Sequence, residues 1–272
     1  MNKVDSVFRE LRTHGRKAFM PFITAGDPDL ATTALLIRDL SQRGASLIEL
    51  GFPYSDPIAD GPVIQASYTR ALEKKLKLEA ILKAIRDLPH SPTPSLPLSP
   101  LLAMVSYAIV YRHGLEQFVR EAKLAGFEGA IVPDLPVEEA SELAAIAAGH
   151  DFKLILLVTP TTPRDRAVEI ARVSTGFIYF VSVTGITGER TAIPATVIDQ
   201  VRWLKTQTEL PICIGFGIST PEHIRMLAPV ADGLIVGSAI VRRIAEGSGR
   251  PVTQILQEVS EFAGTLIDAL ND

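Results

Sequence analysis

The chain has 272 residues, 47% of them hydrophobic and 21% charged, with a formal net charge of −4 and one cysteine. That balance excludes a disordered chain, argues against nucleic acid and anionic membranes as partners and allows no intrachain disulfide. The first residues, MNKVDSVFRELRTHGRK, lack the apolar core of a secretory signal, and no apolar run reaches the ~20 residues of a membrane helix, so a cytoplasmic protein is expected.

A stretch of helical period, Lys3–His14, opens the chain. The apolar run Ala18–Ile23 follows, then a helix over Leu30–Arg43, a run at Ser46–Leu50 and a long helical stretch, Ile64–Leu88. From Pro89 to Pro100 five prolines fall in twelve residues, which predicts an extended surface loop rather than a helix or central strand. Beyond it the alternation resumes: Leu101–Tyr107, helix Leu115–Ala125, Gly129–Val132, helix Glu138–Ala148, Lys153–Val158, helix Arg164–Val173, Gly176–Val181, helix Pro194–Thr206, Pro211–Ile214, helix Pro221–Leu227, and Asp232–Val236 before a helix opened by Ser238. The eight short runs are apolar on consecutive residues, as strands buried on both faces are. Strands alternating with helices imply βαβ units and a parallel sheet. Eight units predict one α/β domain over 1–272, a closed (β/α)8 TIM barrel with an extra N-terminal helix. The alternative, an open doubly wound sheet, calls for a Gly-rich turn after the first strand; Thr24-Ala25-Gly26-Asp27-Pro28 lacks the GxGxxG spacing. Cys213, between Ile212 and Ile214, reads as a buried strand thiol rather than a nucleophile.

In a barrel the segments just after each strand form the active-site mouth. Glu49 lies inside an apolar strand between Ile48 and Leu50, where burial raises a carboxyl pKa toward the range useful for proton transfer. A structural carboxylate tied to an arginine or amide is the alternative. Asp60, eleven residues on, follows a proline-punctuated loop; alone it reads as a turn, and with Glu49 as the second acid of a shared site. Asp56 on the same loop reads as a solvated carboxylate. After strands six, seven and eight come Ser182–Arg190, Gly215–Ser219 and Gly237–Ile240. Their glycines let backbone N–H groups approach an anion, and a helix opening at Ser238 favours a phosphate. No lysine follows a strand at the mouth, which argues against a Schiff-base aldolase. The five histidines supply no mouth-facing ligand set, so no metal is expected.

The segment IELGFPYSDPIADGPVIQ, Ile48 to Gln65, resembles the signature of the tryptophan synthase α subunit family. The likeness extends to PFITAGDPD, VPDLPVEE, SVTGITG, GFGIS and VGSAI, so it spans nearly the whole chain. It implies a lyase that cleaves indole-3-glycerol phosphate to indole and glyceraldehyde 3-phosphate in a retro-aldol step, with no cofactor of its own. Indole would pass to a β subunit holding pyridoxal phosphate, in an α2β2 heterotetramer serving tryptophan biosynthesis. The resemblance places catalytic roles on Glu49, Asp60 and Tyr179, and lid roles on Thr187 and Gly188. It places phosphate binding on Gly188, Gly217, Gly237 and Ser238, and indole contacts on Phe22 and Ile131. One departure stands after strand three, where Ala108 occupies a position that family members often give to asparagine, in a region used at the α–β interface. A lyase acting without a β subunit, and a non-catalytic barrel that only activates a partner, are the other readings; intact Glu49 and Asp60 argue against the last.

Overall fold

Apolar strand and amphipathic helix segments alternate through the computed structural model, which describes residues 1–57, 60–88, 97–182, 195–215 and 217–272. Helix α1 (Lys3–Thr13) leads into β1 (Ala18–Thr24), α2 (Leu30–Arg43), β2 (Ile48–Gly51), α3 (Pro62–Glu73), α4 (Leu78–Asp87) and β3 (Leu101–Met104). Then come α5 (Tyr107–His113), α6 (Leu115–Ala125), β4 (Phe127–Ile131), α7 (Ala140–Gly149), β5 (Lys153–Ile155), β6 (Leu157–Val158), α8 (Arg164–Val173) and β7 (Ile178–Val181). The chain ends with α9 (Ala195–Lys205), β8 (Ile212–Gly215), α10 (Pro221–Leu227), β9 (Gly233–Val236), α11 (Ser238–Glu246) and α12 (Val252–Asn271).

The strands pair in parallel in the order β5-β4-β3-β2-β1-β9-β8-β7-β6. Its two ends, β5 and β6, are successive pieces of one strand interrupted at Leu156: the first piece pairs with β4 and the second with β7. The ladder therefore closes through the chain itself, and the expected eight-stranded barrel results. Side chains alternate along each strand. Ile48 and Leu50 join the large cluster between strands and helices, while Leu47, Phe22, Leu102, Ile131, Tyr179 and Cys213 form a second cluster in the lumen. Glu49 and Gly51 alternate with Ile48 and Leu50 and so share the lumen face with Leu47.

Local chemistry sets the element ends. Asp29 caps α2 by accepting from the Thr32 N–H at 2.7 Å, and Gly44, at φ 105°, ends it in the left-handed region that suits glycine. Helix α1 closes the bottom of the barrel. The buried Asn2 side chain accepts from the Val4 N–H and donates to the carbonyls of Glu128 and Asp151, while Phe8 packs on Phe177 with ring centroids 5.7 Å apart.

Two expected elements are corrected. The run to Tyr107 is not strand throughout: β3 stops at Met104 and Tyr107 opens α5. The Asp134 carboxylate accepts from the Ser106 hydroxyl at 2.6 Å and from the Tyr107 N–H at 2.7 Å, while Ser106 accepts from the Ala108 N–H. Those bonds turn the chain into a helix and remove an N–H that a continuing strand would need. The stretch Ile64–Leu88 is two helices, because Lys75 takes a φ of 55° and the turn lays Leu76 against Gly26. Of the proline segment, Leu98–Pro100 lead into the bottom of β3 without regular structure, and residues 89–96 lie outside the described residues. The long α12 packs on α2, α10 and α11. Among the described residues no helix is long and apolar enough to cross a membrane.

Candidate active site

Strand β2 sets Glu49 in register between Phe22 on β1 and Leu102 on β3, two apolar neighbours in the lumen. The carboxyl is 0% exposed, and among the described residues neither oxygen has a hydrogen-bond partner. Charging such a group costs several kcal/mol, so burial pushes its pKa well above the ordinary carboxylate range. The structural alternative required an arginine or amide partner, and among the described residues none hydrogen-bonds to it.

Asp60 reaches the same region from the loop before α3. Its N–H donates to the Pro57 carbonyl at 3.1 Å and its own carbonyl accepts from the Gln65 side chain at 2.8 Å, so the loop is pinned at both sides of the carboxyl. Burial raises its pKa to about 6, a hydrogen bond from the Tyr54 hydroxyl opposes the rise, and the Asp134 carboxylate adds to it. The two acids thus meet different environments: burial alone drives Glu49 toward its neutral form, while Asp60, with a donor beside it, is largely ionised at neutral pH.

Tyr179, on β7, is buried in the lumen cluster, and its pKa is pushed far up by burial first and then by the charges of Glu49 and Asp60. Gly215 makes room for it: a Cβ there would lie 2.4 Å from the Tyr179 hydroxyl. Gly51 does the same for the Phe22 ring, at 2.4 Å, and the Tyr68 hydroxyl, at 2.9 Å. Phe22 also lies against Gly237, and Ile131 lines the lumen with Met104 and Ile155. Gly217, at φ 76°, and Ser238 are exposed at the mouth, and Gly237 is half-buried. Helix α11 begins at Ser238 with no side-chain cap, and its Ile240 and Val241 N–H groups return to the Gly237 carbonyl. Among the described residues the N–H groups of Ser238 and Ala239 have no hydrogen-bond acceptor, and such a helix start favours an anion. Thr187 and Gly188 lie outside the described residues, as does Phe216.

Three contributors escaped the sequence reading. Tyr54 faces Asp60, Asp134 ties the loop after β4 to the start of α5, and Tyr68 pairs with Tyr54 at a ring-centroid distance of 5.6 Å. The only sequence signal was for Tyr68, which lies four residues after Ile64 on the buried face of α3 and carries a polar tip. Asp56 is an exposed carboxylate that accepts from the Ser55 hydroxyl at 2.7 Å, and Cys213 is a buried thiol, both as expected. Ala108 is exposed in the first turn of α5, on the helix that also exposes Tyr111.

The family model for "Tryptophan synthase alpha chain" matches residues 8–271. The chain belongs to the tryptophan synthase alpha chain family. A tryptophan synthase alpha chain from Rhodopirellula baltica is 53% identical over 278 residues, spanning 100% of this chain and 99% of that one. The alpha chain from Synechocystis sp. is 45% identical over 272 residues and 100% of both chains. Among solved structures, tryptophan synthase subunit alpha from Legionella pneumophila superposes with a TM-score of 0.88 at 32% identity, covering 100% of this chain and 99% of that chain. The family match thus runs from within α1 to the end of α12.

Proposed function

We propose that Glu49, Asp60 and Tyr179 carry the reaction that membership of this family gives the chain, the retro-aldol cleavage of indole-3-glycerol phosphate to indole and glyceraldehyde 3-phosphate. The observation that carries this reading is the Glu49 carboxyl, fully buried and unpaired at the mouth end of β2. Burial favours its protonated form, and that acid gives its proton to indole C3. The C3–C3′ bond then breaks with its electron pair returning to the ring, and the Glu49 carboxylate takes the proton of the C3′ hydroxyl as that carbon becomes the aldehyde. The acid is regenerated, and no redox change occurs. Ionised Asp60 accepts the indole N–H and offsets the positive charge that appears on the ring when C3 is protonated. Such positioned acid–base groups contribute roughly 10²–10⁴ each in rate. Tyr179, Phe22 and Ile131 wall the ring from water. The open N–H groups at Ser238, with Gly217, Gly237 and Gly188, hold the phosphate, whose binding energy orients the bond to be broken. Thr187 and Gly188 act as the lid over the bound substrate.

The whole chain, 1–272, works as one barrel domain in the cytoplasm, needs no cofactor of its own and delivers indole to a β subunit holding pyridoxal phosphate in an α2β2 assembly. An indole-release assay, run with and without that subunit, tests the central role. Glu49→Gln keeps the shape but cannot shuttle the proton, so cleavage is expected to fall at least 10²-fold while glycerol phosphate still binds. Turnover like that of the parent refutes the assignment.

A further inference from the structure

Helix α3 presents a face of Ile64, Ser67, Tyr68 and Ala71 to the protein interior. Ile64 and Tyr68 belong to the lumen cluster, and Ser67 fixes the helix by a 2.6 Å contact between its hydroxyl and that of Thr24. Tyr68 is therefore carried over the rim of the barrel rather than into the layer between strands and helices. It is only 2% exposed. Its hydroxyl would stand 2.9 Å from a Cβ at Gly51, two residues nearer the mouth than Glu49 on the same face of β2. The Phe22 ring edge closes on the same point, and the Tyr54 ring flanks Tyr68 at 5.6 Å.

A phenol hydroxyl this deeply placed ordinarily finds a hydrogen-bond partner. Among the described residues Tyr68 has none. Gly51, two residues from Glu49, and Tyr54, which donates to Asp60, flank the hydroxyl, and after burial the charges of Asp60 and Glu49 hold its proton more tightly. Unlike the Glu49 oxygens, its oxygen is not among the fully sealed unpaired atoms. A sealed orphan would be a stability defect, whereas an open orphan at a binding cavity is a group waiting for a ligand atom.

We propose that the Tyr68 hydroxyl is a substrate contact, hydrogen-bonding a hydroxyl of the three-carbon chain of the substrate. The inference rests on the function proposed above. The ring nitrogen goes to Asp60 and the phosphate to the N-terminus of α11, which leaves the chain hydroxyls as the polar atoms passing the middle of the site. A tyrosine there distinguishes a polyol phosphate from a ring with an apolar side chain, because only the former satisfies it.

Tyr68→Phe keeps the ring packed on Tyr54 and removes only the hydroxyl. In the full-length chain it is expected to lower kcat/KM for indole-3-glycerol phosphate about tenfold, the usual effect of one neutral hydrogen bond. Inhibition by glycerol phosphate should weaken by a similar factor, while inhibition by indole and the melting temperature stay at parent values. Tyr68→Ala, which also loses the ring, should lower the melting temperature. Parent-like kcat/KM and glycerol phosphate inhibition in Tyr68→Phe overturn the proposal, as does an equal loss of indole and glycerol phosphate binding, which marks a packing effect. Glu49→Gln assayed alongside separates the two levels. If it still cleaves, the function itself fails; if it is inactive while Tyr68→Phe is parent-like, only the Tyr68 contact fails.

Discussion

At the scale of single residues, two carboxyls in one lumen meet different surroundings. Glu49 stands in register with the apolar Phe22 and Leu102 and has no hydrogen-bond partner among the described residues, whereas Asp60 has the Tyr54 hydroxyl as a donor. The difference has a thermodynamic sign. Asp60 has a folded pKa of about 6 against an ordinary value of 3.8. Between those values the folded state holds a proton that the unfolded state releases, so this group's contribution falls as pH rises from 3.8 to 6. Above pH 6 the buried charge costs up to about 3 kcal/mol. Asp60→Asn is accordingly expected to be more stable than the parent at pH 8, by about 1–3 kcal/mol, with the gain shrinking toward pH 4. Urea unfolding at the two pH values checks it, and a pH-independent difference counts against it. The same ionisation governs catalysis: kcat/KM should decline below pH 6 as Asp60 takes up its proton, and Asp60→Asn should show a low rate without that acid limb.

At the scale of elements, what positions the site is the close approach of strands and helices at glycines. Gly215 leaves space on β8 for the Tyr179 ring carried by β7, its parallel neighbour. Gly215→Ala would set a methyl 2.4 Å from the hydroxyl of the buried Tyr179. Overpacking of this kind costs typically 1–3 kcal/mol, and we expect a lower melting temperature together with at least a tenfold loss of cleavage. Parent-like values of both would show that the ring relaxes freely. Such contacts mark the limit of what the chain's chemistry discloses locally. Glu49 was legible because a charge inside an apolar strand is costly, and the eight strands because fully buried strands read as unbroken apolar runs. The role of Gly215 was not, since the glycine's reason lies on a strand more than thirty residues earlier. The end of β3 was illegible for a like cause: Val105 and Tyr107 suit a strand, and only Asp134, arriving from the β4 loop, turns them into a helix start. Tyr68 reads in sequence as one more apolar position on an amphipathic face, and only the tilt of α3 over the rim brings its hydroxyl to the lumen.

At the scale of the whole molecule, the dryness around Glu49 belongs to no single element. The ladder closes through the chain at Leu156, α1 plugs the lower end with Phe8 and the Asn2 bonds, and α3 covers the rim with Ile64 and Tyr68. Each removes one route for water to a carboxyl that makes no hydrogen bond. The protonation state of Glu49 therefore reports on the closure of the barrel as well as on the chemistry. An infrared difference spectrum of the parent minus Glu49→Gln, recorded as a function of pH, isolates that one group. The account predicts the carbonyl stretch of a neutral carboxylic acid persisting at pH 7. Carboxylate bands at pH 7, with ionisation near the ordinary value of 4.5, would contradict it.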